Sequence, residues 1–134
     1  MAPSDASGPR LLVVEDQPDL RRLIPRVLTA RGYEVKAAGS GEEAVEILDS
    51  WPEPDMVLTD LSLPYMDGTA LARHVGEKWP NTRIGFMSGY DSVAEVEVTE
   101  FGHIPLLDKP FTIDGLVAFV ESCLKSDPTS SAKA

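Results

Sequence analysis

The sequence predicts an α/β fold in which helices cover both faces of a parallel sheet. Short apolar, β-rich segments alternate with helical patterns five times, and the connections between them are short. A chain of 134 residues that is 43% hydrophobic is long enough for one domain with its own core. We therefore expect a single doubly wound (βα)5 domain over residues 10–126, with a disordered leader at residues 1–9 and a disordered tail at residues 127–134.

The first strand is predicted at residues 10–14, an apolar run that is followed at once by Glu15 and Asp16. A helix is predicted at residues 19–31, because apolar side chains recur there at helical spacing. These side chains are Leu20, Leu23, Ile24, Val27 and Leu28. Pro25 lies inside the pattern, where a proline costs ~3 kcal/mol. Because the apolar stripe keeps one phase on both sides of it, we expect one kinked helix rather than two.

Four arginines lie off that apolar stripe and form a basic patch on an acidic protein. They are Arg21, Arg22, Arg26 and Arg31. Two interpretations stay open, a solvated helix face and a docking surface for a partner.

The second strand is predicted at residues 33–38 and its helix at residues 41–50. Ser40 and Glu43 have the spacing of a capping box, in which a hydroxyl and a carboxylate accept hydrogen bonds from backbone donors at a helix start.

The central strand is predicted at residues 56–60, an apolar run that ends on Asp60. A helix after Gly68 is indicated by three apolar residues on one helical face. These are Leu71, Val75 and Trp79. The next strand is predicted at residues 82–87 and is followed by Ser88.

The last third of the chain predicts a short or frayed helix at residues 91–101, an apolar strand at residues 104–107, and then Lys109. A final amphipathic helix is predicted by five residues at helical spacing. These are Leu116, Phe119, Val120, Cys123 and Leu124.

Composition excludes several kinds of partner and site. The formal net charge of −10 argues against nucleic acid and anionic membranes and favours a cation. The single Cys123 excludes an internal disulfide, is expected to be buried on its helix, and is consistent with a reducing compartment. No apolar run approaches a membrane span, and no hydrophobic signal region is present. We expect a cytoplasmic protein.

The polar residues that end the predicted strands are expected to meet at one edge of the sheet. They are Glu15, Asp16, Asp60, Ser88 and Lys109. This follows because parallel strands place their carboxyl ends on the same side, which is where ligands bind in open α/β sheets.

Three carboxylates brought together repel one another, and either a raised pKa or a bound divalent cation must relieve the repulsion. Oxygen ligands suit Mg²⁺. A carboxylate can attack phosphorus, and phosphoryl transfer needs mainly alignment and charge neutralisation. Lys109 offers a compact positive charge and Ser88 a hydroxyl donor for phosphoryl oxygens. These residues together predict an aspartyl-phosphate site with Asp60 as the acceptor.

Four motifs in order resemble the receiver domain of two-component response regulators. They are Val13-Val14-Glu15-Asp16, the stretch at residues 60–68, Met87-Ser88-Gly89-Tyr90 and Lys109-Pro110-Phe111. The resemblance covers residues 10–125. It implies a flavodoxin-like fold with strand order 2-1-3-4-5, and a phosphorylatable signalling domain rather than an ordinary enzyme.

The resemblance also implies a Mg²⁺ site. Asp16, Asp60 and the backbone carbonyl of Ser62 would be ligands, and Glu15 would act through a water. It implies that Asp60 accepts phosphate from a histidine kinase or a histidine phosphotransfer protein and passes the signal to an unidentified downstream protein.

Ser88 and Lys109 would contact the phosphoryl group, and the Lys109–Pro110 peptide bond would be cis. Two positions depart from the common family pattern. Leu106 replaces the aromatic residue of the familiar switch, as in receivers attached to hybrid kinases and their single-domain relatives, and Glu15 stands where many relatives have Asp.

Three other functions compare differently with this sequence. A haloacid-dehalogenase phosphatase needs a second Asp two residues after the first, where this chain has Ser62. A flavin binder needs a phosphate-cradling loop after the first strand, where Glu15 and Asp16 would repel phosphate. A receiver-like docking scaffold that is not phosphorylated remains the alternative, although its acid site would normally be degraded.

Overall fold

The computed structural model describes residues 8–61, 68–89 and 105–125. The strands are β1 (Arg10–Val14), β2 (Glu34–Ala38), β3 (Met56–Asp60), β4 (Arg83–Ser88) and β5 (Leu106–Asp108), and the helices are α1 (Pro18–Thr29), α2 (Gly41–Ser50), α3 (Gly68–Lys78) and α4 (Ile113–Lys125). All strands pair in parallel in the order β2-β1-β3-β4-β5, which confirms the predicted fold class. The predicted helix at residues 91–101 and the predicted tail lie outside the described residues.

The two faces of the sheet carry separate cores, because successive side chains of a strand point to opposite faces. Leu11 and Val13 of β1 belong to the core under α1 and α4, together with Ile24 and Leu116. Leu12 and Val14 belong to the core under α2 and α3, and the core residues that those helices supply are Ala44, Leu48, Leu71, Ala72 and Val75. Both faces are therefore apolar, as expected of a parallel sheet.

The β1–β2 pairing begins before the predicted start of the domain. The backbone N–H of Gly8 donates to the Gly32 carbonyl at 2.6 Å, and that of Glu34 donates to the Pro9 carbonyl at 3.0 Å. Two residues assigned to the leader thus hydrogen-bond to the chain around β2. Gly32, with φ of 97°, is the residue that turns the chain after α1.

Helix α1 runs without a break through Pro25, which confirms one helix rather than two, while the kink at Pro25 stays a prediction. The predicted apolar stripe was too wide, however, because Leu23 is 39% exposed whereas Ile24 and Leu28 are buried. A helix that rests on a sheet buries only the residues directed at it, and Leu23 lies one position round the helix from Ile24.

Helix α2 begins at the predicted residue and is capped on the predicted side chain. The Ser40 hydroxyl oxygen accepts a hydrogen bond from the Glu43 N–H at 3.1 Å. The Glu43 carboxylate accepts from the N–H of Gly39 at 2.8 Å rather than from that of Ser40, one residue earlier than in the standard capping box.

Helix α4 buries the side chain of Cys123, as the sequence predicted. Burial raises the pKa of this thiol to about 11. Among the residues that the structure describes, no helix combines the length and the apolar character needed to cross a membrane.

Candidate functional site

Three carboxylates meet at the carboxyl edge of the sheet, as the sequence predicted. Asp60 is the last residue of β3, and Glu15 and Asp16 follow β1 directly. One oxygen of each lies within 4.8 Å of the others. We call these three residues the acid rim. They are brought together because β1 and β3 are neighbours with Val14 opposite Thr59, so both strands end at the same level.

Lys109 lies against the acid rim. Its Nζ is 2.7 Å from Asp60 Oδ2 and 2.8 Å from Glu15 Oε1, and its side chain is only 16% exposed. Its backbone N–H donates to the Ser88 carbonyl at 2.7 Å, so pairing with the end of β4 holds the lysine in place. The Lys109–Pro110 bond is cis, as the resemblance implied.

Adjacent members of the acid rim lie in opposite environments. Glu15 is fully buried and Asp60 is 6% exposed, whereas Asp16 is exposed. Burial raises the pKa of Glu15, although Lys109 and the N–H of Gln17, which donates to Glu15 Oε2 at 3.0 Å, act to lower it. The rim therefore combines two buried acids with one that faces solvent.

The Lys109 ammonium is held in its charged form. Burial alone would lower its pKa, but the hydrogen bond to Asp60 and the negative charges of Asp60 and Glu15 outweigh that effect and raise it. The contact with Asp60 is a well-directed hydrogen bond, while that with Glu15 is an ion pair off the hydrogen-bonding direction.

Of the two predicted site serines, the structure describes Ser88 but not Ser62. Ser88 is the last residue of β4 and is buried at 3% exposure, one position along β4 from Met87, which pairs with Asp60. Its contact with a phosphoryl group stays a prediction. Ser62, whose carbonyl was predicted to bind the metal, lies outside the described residues.

Sequence reasoning missed the role of Arg21, which it grouped with a surface patch. Its guanidinium donates from one nitrogen to the carbonyl oxygens of Glu15 at 3.1 Å and Asp16 at 3.2 Å. Of the other three arginines, which are all exposed, Arg22 contacts Asp19 at 3.1 Å. The position of Arg21 in the first turn of α1 could have indicated this role. A long side chain there points back toward the preceding loop.

Leu106, the departure at the switch position, opens β5 and packs half-buried against the core under α2 and α3. Its neighbour Leu107 packs against the opposite core. The edge strand thus presents an aliphatic side chain where a switch aromatic would stand.

The donor set of the acid rim fits a hard divalent cation. All three side chains offer carboxylate oxygens, and no described histidine or cysteine joins the cluster. Glu15 Oε1 is buried, and among the described residues it accepts no hydrogen bond and forms an ion pair with Lys109. Oxygen-only ligands with an exposed member that leaves room for water are the set that suits Mg²⁺.

Comparison with known proteins gives one consistent result. A family model for the response regulator receiver domain matches residues 11–121. The chain is 35% identical over 116 residues to the response regulator receiver protein CpdR of Brucella abortus, covering 86% of this chain and 96% of that one. It is 36% identical over 128 residues to the sensor kinase CckA of the same organism, where it covers 91% of this chain but spans 13% of the kinase.

A similar solved structure is the receiver domain of NtrX from Brucella abortus, with a TM-score of 0.78 and 27% identity over 87% of this chain and 99% of that one.

Proposed function

The chain belongs to the response regulator receiver domain family, and on that premise we propose that Asp60 accepts a phosphoryl group from a phosphohistidine in the presence of Mg²⁺. The donor is proposed to be a histidine kinase or a histidine phosphotransfer protein. One observation carries the assignment to Asp60. Among the described carboxylates, only those of Asp60 and Glu15 lie against the half-buried ammonium of Lys109, and Asp60 ends the central strand beside the exposed Asp16.

The proposed step is a transfer between two nucleophiles. A carboxylate oxygen of Asp60 attacks phosphorus and forms a P–O bond. The P–N bond of the donor phosphohistidine breaks, its electron pair goes to the imidazole nitrogen, and the transferred group becomes an aspartyl phosphate. The reaction needs alignment and neutralisation of charge on the phosphoryl oxygens rather than proton transfer from the acceptor.

Lys109 supports both needs. In the structure its ammonium fixes the orientation of the acceptor through the 2.7 Å contact to Asp60 Oδ2. Once a phosphoryl group is attached, the same ammonium can donate to a phosphoryl oxygen while Glu15 keeps it at the rim. Ser88 is proposed as the second donor, from the neighbouring end of β4.

Glu15, Asp16 and Asp60 are proposed to hold Mg²⁺ together with the carbonyl of Ser62. Bound there, the cation would neutralise charge on the acid rim and on the phosphoryl oxygens. Asp16 suits this role because its exposed carboxylate leaves an approach from solvent, while burial of Glu15 and Asp60 limits competing hydration.

Similarity to known proteins and the net charge both bear on the proposed partners. Similarity to part of a sensor kinase supports a histidine kinase or phosphotransfer partner, and a downstream protein would read the phosphorylated state. The net charge of −10 disfavours nucleic acid or an anionic membrane as that partner. The buried Cys123, which has no second cysteine in the chain to form a disulfide with, supports a reducing compartment such as the cytoplasm.

The direct test is phosphorylation of the purified chain by acetyl phosphate and by a phosphorylated histidine phosphotransfer protein, followed by intact mass measurement. We expect one phosphoryl group on the parent chain and none on Asp60→Asn. Asp49→Asn is the matched control, because Asp49 is an exposed aspartate near the end of α2 that pairs with Lys78 rather than with Lys109.

A phosphoryl group on the Asp60→Asn chain would place the acceptor elsewhere. A parent chain that takes no phosphoryl group from either donor, with or without Mg²⁺, would favour the docking scaffold instead.

A further inference from the structure

We propose that Arg21 is a positioning residue that sets the Mg²⁺ affinity of the acid rim by fixing the backbone that carries Glu15 and Asp16. The inference rests on the proposed function, because it assumes that the rim binds Mg²⁺. It adds a residue outside the ligand set, which contacts the backbone of Glu15 and Asp16 rather than their carboxylates.

Arg21 donates to three successive backbone carbonyls of the loop between β1 and α1. Its guanidinium reaches those of Glu15 and Asp16 at 3.1 and 3.2 Å, and its own backbone N–H donates to that of Gln17 at 2.9 Å. Charge-assisted hydrogen bonds are roughly twice as strong as neutral ones, so the guanidinium contacts are strong restraints on this loop.

Two backbone N–H groups of the loop make further hydrogen bonds. The Glu15 N–H donates to the Ala38 carbonyl at 3.0 Å, and the Gln17 N–H donates to Glu15 Oε2 at 3.0 Å. The Arg21 guanidinium is the element of this network that reaches from the next helix, and it holds the carbonyl of Asp16, whose own side chain is exposed. Without it, the backbone at Asp16 would keep fewer restraints.

Gly39 provides the space in which the guanidinium lies. A Cβ atom at this position would stand 2.7 Å from the terminal nitrogen of Arg21 that makes both contacts and 3.3 Å from the central guanidinium carbon. The chain therefore keeps a glycine where any side chain would push Arg21 away from the loop. The Gly39 N–H is itself fixed by the Glu43 carboxylate at the start of α2.

The positioning role and a purely electrostatic role of Arg21 predict opposite results. Removing a positive charge close to three carboxylates would strengthen Mg²⁺ binding if charge alone mattered. Removing a partner that orients ligands weakens metal binding, typically by 10–100-fold. The sign of the change in Mg²⁺ affinity therefore distinguishes the two.

The experiment measures Mg²⁺ binding to the full chain by isothermal titration calorimetry, for the parent and for Arg21→Met, Gly39→Ala and Arg21→Lys. We expect Arg21→Met to bind roughly tenfold more weakly. Gly39→Ala keeps the arginine but displaces it, and we expect a loss in the same direction. Arg21→Lys keeps the charge without the fork of donors and should restore little of the affinity.

The matched control is Arg22→Met, which removes the same charge one residue along. Arg22 contacts only the exposed Asp19 among the described residues, so its loss should leave Mg²⁺ binding unchanged or slightly tighter. A second readout is the rate of phosphorylation by acetyl phosphate. For Arg21→Met the Mg²⁺ concentration at half-maximal rate should rise roughly tenfold while the rate at saturating Mg²⁺ stays near that of the parent.

Equal or tighter Mg²⁺ binding by Arg21→Met, with the parent binding normally, would overturn the positioning role and leave the proposed function intact. A parent chain with no Mg²⁺ affinity would instead remove the metal site and this inference together. Amide hydrogen exchange of the loop without Mg²⁺ keeps the test independent of metal, and unchanged exchange at Asp16 and Gln17 in both Arg21→Met and Gly39→Ala would also overturn it.

Discussion

Strand β1 and the residue that follows it share the same burial but differ in chemistry. Leu11 to Val14 are fully buried apolar residues that pack into the two cores, and Glu15 is equally buried yet carries a carboxylate. Burying apolar surface stabilises the fold by roughly 25 cal/mol per Å². Burying a charge costs free energy unless a partner offsets it, and here the partner is Lys109. The buried apolar residues of the strands stabilise the fold. This stabilisation offsets the free-energy cost of burying the carboxylates of the acid rim.

The largest effect on stability is expected from the buried apolar residues of β1. Leu11→Ala should lower the free energy of unfolding by about 2–5 kcal/mol, because it removes a fully buried side chain and leaves a cavity. Urea denaturation would measure this loss, and calorimetry should find unchanged Mg²⁺ affinity in the folded variant. Leu23→Ala is the control, with an expected loss under about 1 kcal/mol because Leu23 is 39% exposed. A Leu11→Ala chain that lost Mg²⁺ affinity would show that packing of the strand core and metal binding at the acid rim are coupled.

The second effect comes from alkaline pH acting on the core beneath α1 and α4. The folded pKa of Cys123 is raised by burial from 9.0 to about 11, so its stabilising contribution is complete below pH 9 and is lost as the pH rises through 11. The loss should approach about 3 kcal/mol, at 1.36 kcal/mol per pKa unit. Urea denaturation from pH 8 to 11 should show this decline in the parent and not in Cys123→Ala. Parallel curves for the two chains would contradict it.

The third effect is at the acid rim. Lys109→Met should lower the stability of the Mg²⁺-free protein by about 2 kcal/mol, because two buried carboxylates lose their cation. The expected loss is smaller than the roughly 3–5 kcal/mol of a fully buried pair, because the Lys109 side chain is 16% exposed to solvent. Added Mg²⁺ should restore stability by binding only the folded state. Thermal melting with and without Mg²⁺ would measure both.

Lys78→Met is the control for that variant, since Lys78 contacts Asp49 at the surface, and exposed pairs contribute at most about 1 kcal/mol. An Lys109→Met chain that is as stable as the parent without Mg²⁺ and gains nothing from Mg²⁺ would contradict the account of the rim.

The smallest effect is expected at the exposed member of the rim. Asp16→Asn should raise the stability of the Mg²⁺-free protein by less than about 1 kcal/mol, because it relieves repulsion that solvent already screens. It should also remove most of the stabilisation by Mg²⁺. Asp19→Asn, three residues away and paired with Arg22, should change neither. A destabilised Asp16→Asn chain that still gained stability from Mg²⁺ would show that Asp16 is structural rather than a ligand.

Much of the fold was predictable because its signals are local. Apolar runs that end on polar residues marked β1, β3 and β4 to within a residue, and the Ser40 cap fixed the start of α2. The predicted convergence of Glu15, Asp16, Asp60 and Lys109 is confirmed as geometry, since parallel strands must share an edge. Their roles in phosphoryl transfer are proposals.

The errors fell where a side chain's surroundings come from distant parts of the chain. Helical spacing could not distinguish the exposed Leu23, at the edge of the apolar stripe of α1, from the buried Ile24. Charge alone placed Arg21 on the surface, whereas the glycine that makes room for it is Gly39, beyond β2.

The sequence by itself determined the α/β alternation, the strand tips and the residue types available there, because backbone preference and hydrophobic period depend on neighbours along the chain. Only the tertiary structure decided that Glu15 is buried while Asp16 is exposed, and that Lys109 bridges Glu15 and Asp60. It also decided that Arg21 donates hydrogen bonds to the carbonyls of Glu15 and Asp16. Burial and electrostatic pairing depend on what packs against a residue across the fold, and no local pattern records that.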